Sequence, residues 1–244
     1  KVGSGDGDEV DIALDPLEGT TITSKGMPNS LAVIAAAKKG CLLHSPDTYM
    51  NKIAIGNGYS NDVIDLDASV KDNIKSLADA KKVKPSDISA CVLERDRHSE
   101  IIESLREIGS KVILIPDGDV AGVMMTSQEE IDVDIYFGTG GAPEGVLAAA
   151  ALQCIGGQMQ TRLVIRNDDE KKRAEKAGIK DLEKKYYIDD LASGDIIFVA
   201  TGVTEGTMVK GVKKYSNSFL THSIVLRSDF NTTQFIQTYH PQSI

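Results

Sequence analysis

Residues 134–155 read DIYFGTGGAPEGVLAAAALQCI and join a short apolar strand to a nearly all-apolar helix through a run of glycines. The apolar run over 134–137 predicts a strand, and the longer run over 143–155 predicts a helix. Pro143 suits the first turn of that helix, where a backbone amide has no partner within the helix. This strand–turn–helix unit is typical of an α/β fold.

The same alternation continues on both sides of this unit. Upstream, strands are predicted over 88–93 and 111–115, on either side of a helix that is closed by Gly109. Downstream, a strand is predicted over 162–165 and a charged helix over 168–177. Strands that alternate with helices at this spacing predict a mostly parallel, helix-covered sheet.

Strand patterns also occupy the two ends of the chain. EVDIALDP (9–16) predicts one strand, and SLAVIAAAKKGCLLHSP (30–46) predicts two strands around a Lys-Lys-Gly turn. Ser69 and Asp72 resemble a capping box at the start of a helix. Three further strands are predicted over 195–200, 223–227 and 233–238.

Length and charge bound the organisation and the partners of the chain. Its 244 residues suffice for two subdomains, which we predict over 1–84 and 85–244. The net charge of −9 argues against nucleic acid or a membrane surface as a partner, because both require a basic face. The sequence contains no apolar run long enough to span a membrane and no signal peptide, so we expect a cytoplasmic protein. Its three cysteines are far apart in apolar contexts, which favours reduced core residues.

The motif Asp15-Pro16-Leu17-Glu18-Gly19-Thr20 lies at the end of a predicted strand. Pro16 fixes the backbone and Gly19 permits a sharp turn, so the carboxylates of Asp15 and Glu18 can converge on one point. Clustered carboxylate oxygens are the ligands that hard divalent cations prefer, and the Thr20 hydroxyl can orient a water molecule. An acidic turn with solvated carboxylates is the alternative, and it is favoured for the first four residues taken alone.

The glycine-rich segment FGTGGAPEG (137–145) can form an anion site. Its glycines allow close backbone approach, and free amides at the start of a helix attract negative charge. Glu144, in the first turn of that helix, could bind a metal ion that faces a phosphate. A dinucleotide-binding turn is the alternative, but the G-x-G-x-x-G spacing is absent, and no G-K-[ST] sequence is present for a P-loop.

Two further motifs follow predicted strands. Arg95-Asp96-Arg97-His98 could clamp a second phosphate through charge-assisted hydrogen bonds, although a solvated basic loop is equally consistent with this tetrapeptide. Asp117-Gly118-Asp119 could hold sugar hydroxyls, although such a sequence is more often only a turn. All four motifs lie at strand ends, where open α/β sheets bind their ligands.

The motif Asp15 to Thr20 resembles the signature of the lithium-sensitive, metal-dependent phosphatase superfamily. Within it, the chain is similar to class II fructose-1,6-bisphosphatases, some of which also accept sedoheptulose 1,7-bisphosphate. This resemblance rests on EVDIALDPLEGT (9–20), DTYMNK (47–52), RDRH (95–98), PDGD (116–119) and FGTGGAPEGVLAAAALQCIGGQMQ (137–160). Inositol monophosphatases fit less well, because they carry Asp where Glu18 stands and a later Trp-Asp motif, and this chain contains no Trp.

The resemblance implies a layered α-β-α-β-α architecture with two packed sheets, whose N-terminal part lies outside this chain. It implies a metal site made by Asp15, Glu18 and Glu144, with Mn²⁺ or Mg²⁺ as the ion, and it implies that Thr20 positions the attacking water. The family pattern also includes an Asp and a Glu well upstream of the DPLEGT block, in a region that this chain does not contain. Substrate contacts are implied for Glu18, Gly19, Thr20, Tyr49, Arg95, Asp96, Arg97, Asp117, Gly118, Asp119 and Gly141.

The implied activity is hydrolysis of the 1-phosphate of fructose 1,6-bisphosphate, a step of gluconeogenesis, by a homodimer or homotetramer. Two alternatives are also consistent with the sequence. One is a catalytically impaired relative that only binds a sugar phosphate, and the other is a phosphatase of the inositol-monophosphatase type.

Overall fold

The computed structural model describes residues 3–242 and contains two six-stranded sheets and seven α-helices in that range. The helices are α1 Thr20–Ser24, α2 Val70–Lys81, α3 Ser99–Ile108, α4 Asp119–Met125, α5 Ala142–Ile155, α6 Asp168–Lys176 and α7 Ile188–Leu191. The strands are β1 Val10–Glu18, β2 Leu31–Lys38, β3 Tyr49–Ile55, β4 Ser89–Leu93, β5 Lys111–Ile115, β6 Ile135–Gly141, β7 Gln158–Val164, β8 Tyr186–Tyr187, β9 Ile196–Gly202, β10 Lys213–Lys214, β11 Ser218–Arg227 and β12 Thr232–Pro241.

The first sheet joins the two ends of the chain and is antiparallel throughout. Its order is β1-β2-β9-β11-β10, and β12 pairs with the other edge of β11. Strands β2 and β9 have apolar residues at successive as well as alternate positions, so both faces of these two central strands are apolar.

The second sheet is mixed, with the order β5-β4-β6-β3-β7-β8. Only β5, β4 and β6 run parallel, whereas β3 is antiparallel to both β6 and β7. The prediction of a mostly parallel sheet was therefore wrong. Strand β3 escaped prediction because Asn51 and Lys52 interrupt its apolar pattern.

The layers alternate in the order sheet, helices, sheet, helices. Helix α5 lies between the two sheets and contacts strands of both, and α4 packs beside it. Helices α2 and α3 cover the opposite face of the second sheet through a separate apolar cluster. Residues 3–242 place no helix on the outer face of the first sheet, so they form four of the five expected layers. That face exposes Val10, Ile12, Leu14, Ile34 and Ile197.

Several local predictions are confirmed. The Ser69 hydroxyl accepts a hydrogen bond from the Asp72 amide at 3.1 Å and caps α2, and Gly109 ends α3 at φ 82°. The second strand predicted after the Lys-Lys-Gly turn is reduced to a single bridge between Leu42 and Ala192. Cys41, Cys91 and Cys154 are free, and the last two are buried.

Each sheet takes strands from both sides of residue 84, because β3 joins the second sheet and β9 joins the first. The division into subdomains at that residue stays a prediction. Within residues 3–242, no helix has both the length and the apolar character needed to cross a membrane.

Candidate active site

Twelve of the thirteen predicted site residues line one cavity of about 410 Å³. Asp96 is the exception and is exposed in a short 3-10 turn, while its neighbours Arg95 and Arg97 reach the cavity. A larger cleft of about 770 Å³ lies under β12, but it contains none of the predicted residues. The smaller cavity is distinguished by its chemistry, since six carboxylates and two arginines line it. They are Asp15, Glu18, Asp47, Asp117, Asp119, Glu144, Arg95 and Arg97.

An irregularity in β1 places Asp15 and Glu18 on the same face of the first sheet. Residues three apart in a regular strand would point to opposite faces. Here Asp15 pairs with Val33 and Glu18 pairs with Leu31, so β1 contains one more residue than β2 over this interval. Both partners face the core, and cross-strand neighbours share a face, so this β-bulge turns both carboxylates inward.

Gly19 ends the strand and begins α1 in the left-handed conformation at φ 87°. This conformation favours glycine, and a Cβ atom here would also lie 2.7 Å from Cδ1 of Ile22. The following residue, Thr20, is exposed at the cavity. This one-turn helix was not predicted, since its polar sequence TTITS lacks the periodicity of a longer helix.

Asp117 links its own turn to helix α1 and to the arginine loop. Its Oδ2 atom accepts a hydrogen bond from the Thr21 amide at 3.1 Å, and its Oδ1 atom lies 3.5 Å from an NH₂ nitrogen of Arg95. Arg95 also donates to the Pro116 carbonyl at 2.6 Å. The short helix α1, the arginine loop and the Asp117 turn are therefore held against one another.

The glycines of β6 provide volume for functional groups that belong to other residues. A Cβ on Gly140 would lie 2.2 Å from Oδ2 of Asp119, and a Cβ on Gly141 would lie 1.9 Å from Oε2 of Glu144. The predicted glycine-rich turn is in fact the last part of β6, which pairs with β3 as far as Gly141. Glycine is required here for close approach of side chains, and the backbone amides of these residues lie in a sheet.

A buried network that the sequence did not reveal lies beneath the cavity. The carboxylate of Asp119 accepts hydrogen bonds from the Lys52 ammonium and from the Tyr136 hydroxyl, and all three side chains are buried. The signal was a lysine within the otherwise apolar end of β3, KIAI. Asp119 thus has a protein partner at each oxygen atom.

Glu18 carries a buried oxygen atom without a partner. Its Oε1 atom accepts a hydrogen bond from the Val120 amide at the start of α4, but its Oε2 atom has no hydrogen-bond partner within residues 3–242. Burial raises the pKa of Glu18 to about 8, and it also raises the pKa of Glu144. Buried polar groups are normally satisfied, so the orphaned oxygen fits a ligand that supplies positive charge.

The donor set fits a hard divalent cation. Asp15, Glu18 and Glu144 offer oxygen atoms to the same cavity, and Mg²⁺ typically takes one or two protein carboxylates together with substrate phosphate. The side chains of residues 3–242 include no group of three His, Cys, Asp or Glu that is close enough to hold an ion by itself. An ion at this place would therefore need further oxygen ligands besides these three carboxylates.

His98, which stands beside the two arginines in the sequence, has a structural role, because both of its ring nitrogens bond to the backbone. Its Nε2 atom accepts a hydrogen bond from the Thr139 amide at 2.8 Å, so its Nδ1–H group donates to the Leu93 carbonyl at 2.7 Å. Burial lowers the pKa of this imidazole. His98 ties the arginine loop to β6, and Arg97 adds a bond from Nε to the Thr139 carbonyl at 2.8 Å.

Comparisons with known proteins identify the family of this chain. Residues 1–240 match the family described as bacterial fructose-1,6-bisphosphatase, glpX-encoded. The chain belongs to this family, whose members are metal-dependent phosphoric monoester hydrolases. It is 38% identical over 253 residues to fructose-1,6-bisphosphatase 1 class 2 of Escherichia coli (strain K12). This alignment covers 98% of this chain and 75% of the relative. The class 2 fructose-1,6-bisphosphatase of Shigella flexneri has the same identity and coverage.

Proposed function

We propose that this chain hydrolyses the 1-phosphate of fructose 1,6-bisphosphate to give fructose 6-phosphate and phosphate. The observation that carries the proposal is the single cavity in which acidic side chains from β1 and α5 meet two arginines. Membership of the family supports the same substrate. A sugar with two phosphates would use both the acidic and the basic parts of this cavity.

Asp15, Glu18 and Glu144 would hold the metal, for which we propose Mn²⁺ or Mg²⁺. When bound, divalent ions supply positive charge that polarises water and neutralises the leaving oxygen. The protein supplies position: the β-bulge fixes Asp15 and Glu18, and the start of α5 fixes Glu144. The orphaned Oε2 atom of Glu18 is the strongest support for its place in this set.

Thr20 would orient the attacking water, because its hydroxyl-bearing side chain stands at the cavity next to Glu18. Arg95 and Arg97 would bind the far phosphate, with Tyr49 beside Arg97. Gly19, Asp117, Gly118, Asp119 and Gly141 would shape the sugar site. Lys52 and Tyr136 donate to the two oxygens of Asp119, so we propose that this carboxylate shapes the sugar site from below.

Two further proposals follow from the family resemblance: sedoheptulose 1,7-bisphosphate is a second substrate, and the protein assembles as a homodimer or homotetramer. We also propose a cytoplasmic location, as expected from the sequence. Size-exclusion chromatography with light scattering tests the assembly, and a mass of one chain would contradict it.

The function is tested by phosphate release from fructose 1,6-bisphosphate by the full-length protein with Mn²⁺ or Mg²⁺. We expect turnover that a chelator abolishes and that Glu144→Gln lowers by at least a hundredfold. Binding of the bisphosphate without phosphate release would identify a sugar-phosphate-binding protein instead. Hydrolysis of inositol monophosphate in preference to the bisphosphate would identify an inositol-type phosphatase.

A further inference from the structure

One aromatic ring at the edge of the cavity contacts two guanidinium groups. The guanidinium carbon of Arg97 lies 5.0 Å from the centroid of the Tyr49 ring, and that of Arg166 lies 4.1 Å from the same centroid. We propose that Arg166 is a positioning residue for the far phosphate of the substrate, acting through Tyr49 on Arg97. This inference rests on the proposed function, since it concerns the same site.

Arg166 is held in place by the first turn of α6. Its Nε and NH₂ groups donate to Oε1 of Glu170, the first of them at 2.9 Å, and its backbone amide donates to Oε2 of the same residue at 2.7 Å. Glu170 is buried, and the Asn167 side chain caps this turn by accepting from the Glu170 amide at 2.9 Å. Two guanidinium nitrogens thus donate to the single Oε1 atom of a buried carboxylate, and these charge-assisted bonds restrict the orientation in which Arg166 faces the ring.

Tyr49 transmits this constraint to the cavity. It is the first residue of β3 and pairs with Gly141 on one side and with Val164 on the other, so its backbone is fixed by two neighbouring strands. The Tyr49 side chain lines the cavity, as does Arg97, whereas Arg166 does not. Arg166 therefore acts on the substrate through the ring and needs no contact with it.

The charge of the cavity explains why this arrangement matters. A phosphate group must bind among six carboxylates, and Arg95 is already paired with Asp117. Arg97 is then the principal cation for the far phosphate, and its stacking on Tyr49 fixes where that charge lies. Arg166 adds a third cation that contacts the same ring from outside the cavity lining, and this contact restricts the rotamers of Tyr49.

The test measures kcat and KM of the full-length enzyme with fructose 1,6-bisphosphate and with fructose 1-phosphate, which lacks the far phosphate. Arg166→Gln should raise KM for the bisphosphate about tenfold, change kcat by less than twofold, and leave kcat/KM for fructose 1-phosphate within twofold. Arg166→Lys and Glu170→Gln should have intermediate effects, because each keeps part of the pair. Arg162→Gln is the matched control, since Arg162 lies on β7, pairs with Asp67 outside the cavity, and should leave both substrates unaffected.

A double-mutant cycle separates positioning from a general loss of structure. If Arg166 acts through the ring, Arg166→Gln should change KM by less than twofold in a Tyr49→Leu background. Equal losses for both substrates, additive effects in the cycle, or a KM for the bisphosphate within twofold of wild type would each overturn the proposal. Calorimetric titration with fructose 6-phosphate adds an arm that needs no turnover, and Arg166→Gln should weaken that binding about tenfold. An inactive wild-type protein would count against the proposed function, while unchanged binding in this titration would count against Arg166.

Discussion

The ammonium group of Lys52 lies against the carboxylate of Asp119, 67 residues away in the sequence, and both side chains are buried beneath the cavity. Removing one partner of a buried ion pair leaves the other charge uncompensated in a medium of low polarity. We predict that Lys52→Met lowers the free energy of unfolding by about 3 kcal/mol, as measured by urea denaturation. Lys39→Met, which breaks an exposed pair with Glu9, should cost less than about 1 kcal/mol. Equal losses in the two variants would show that burial of the Lys52 pair has no special weight.

Thr20 offers a test of the proposed chemistry that leaves the fold intact. Because this side chain is exposed at the start of a one-turn helix, Thr20→Ala should leave the melting temperature and KM nearly unchanged. Its kcat should fall about a hundredfold or more, since small errors in the position of a reacting group have effects of that size. Thr20→Ser keeps the hydroxyl and should retain most of the turnover. Near-normal turnover of the alanine variant would remove Thr20 from the mechanism.

The raised pKa of Glu18 predicts an unusual dependence of stability on pH in the metal-free protein. Burial raises this pKa from 4.5 to about 8, so between these values the folded state keeps a proton that the unfolded state has lost. The free energy of unfolding should therefore fall as pH rises from about 5 to 8, and Glu18→Gln should flatten that part of the curve. Asp67, whose pKa is lowered by Arg162, is ionised throughout this range and does not contribute.

The proton held by Glu18 can also be detected by its release when a metal ion binds. Addition of Mn²⁺ at pH 7 should release a proton from Glu18, which calorimetric titration detects as a binding enthalpy that depends on the ionisation enthalpy of the buffer. The Glu18→Gln variant should lose that dependence. A stability that stays constant from pH 5 to 8, together with a binding enthalpy that is independent of the buffer, would contradict the assignment.

Gly140 is predicted to be essential although it has no functional group. In Gly140→Ala the new methyl group would lie 2.2 Å from the Asp119 carboxylate, so that side chain must leave the position in which Lys52 and Tyr136 hold it. We expect a loss of about 1–3 kcal/mol in stability and at least a hundredfold loss in kcat. Gly58→Ala provides the control, because its strain at φ 89° occurs where the new methyl group meets open space. That variant should lose stability and keep its turnover.

Much of the secondary structure was predictable from short-range sequence patterns. The cap at Ser69, the glycine that ends α3, and the apolar runs of β4, β5 and α5 were all read from neighbouring residues, because propensity and capping act over one or two turns. The direction of β3 could not be read in this way. Its antiparallel insertion between β6 and β7 is decided by pairing between distant segments, and its lysine concealed it.

The residues of the site were predictable from the sequence, but most of the contacts among them were not. The motifs around Asp15, Arg95, Asp117 and Glu144 were each visible, and they do line one cavity. The Lys52–Asp119–Tyr136 network joins three separate elements, β3, α4 and β6, so no single stretch of sequence contains it. Arg166 was overlooked for the same reason, since its meaning depends on a ring 117 positions earlier in the chain.

Helix α5 sets the dimensions of the whole arrangement. Its four consecutive alanines, residues 148–151, are buried in the layer that separates the two sheets. Because their side chains are single methyl groups, the helix lies close to both sheets. This spacing sets the distance between Glu144, on the helix, and Glu18, on the first sheet. A larger side chain at any of these four positions would increase that spacing and displace the two carboxylates without itself entering the cavity.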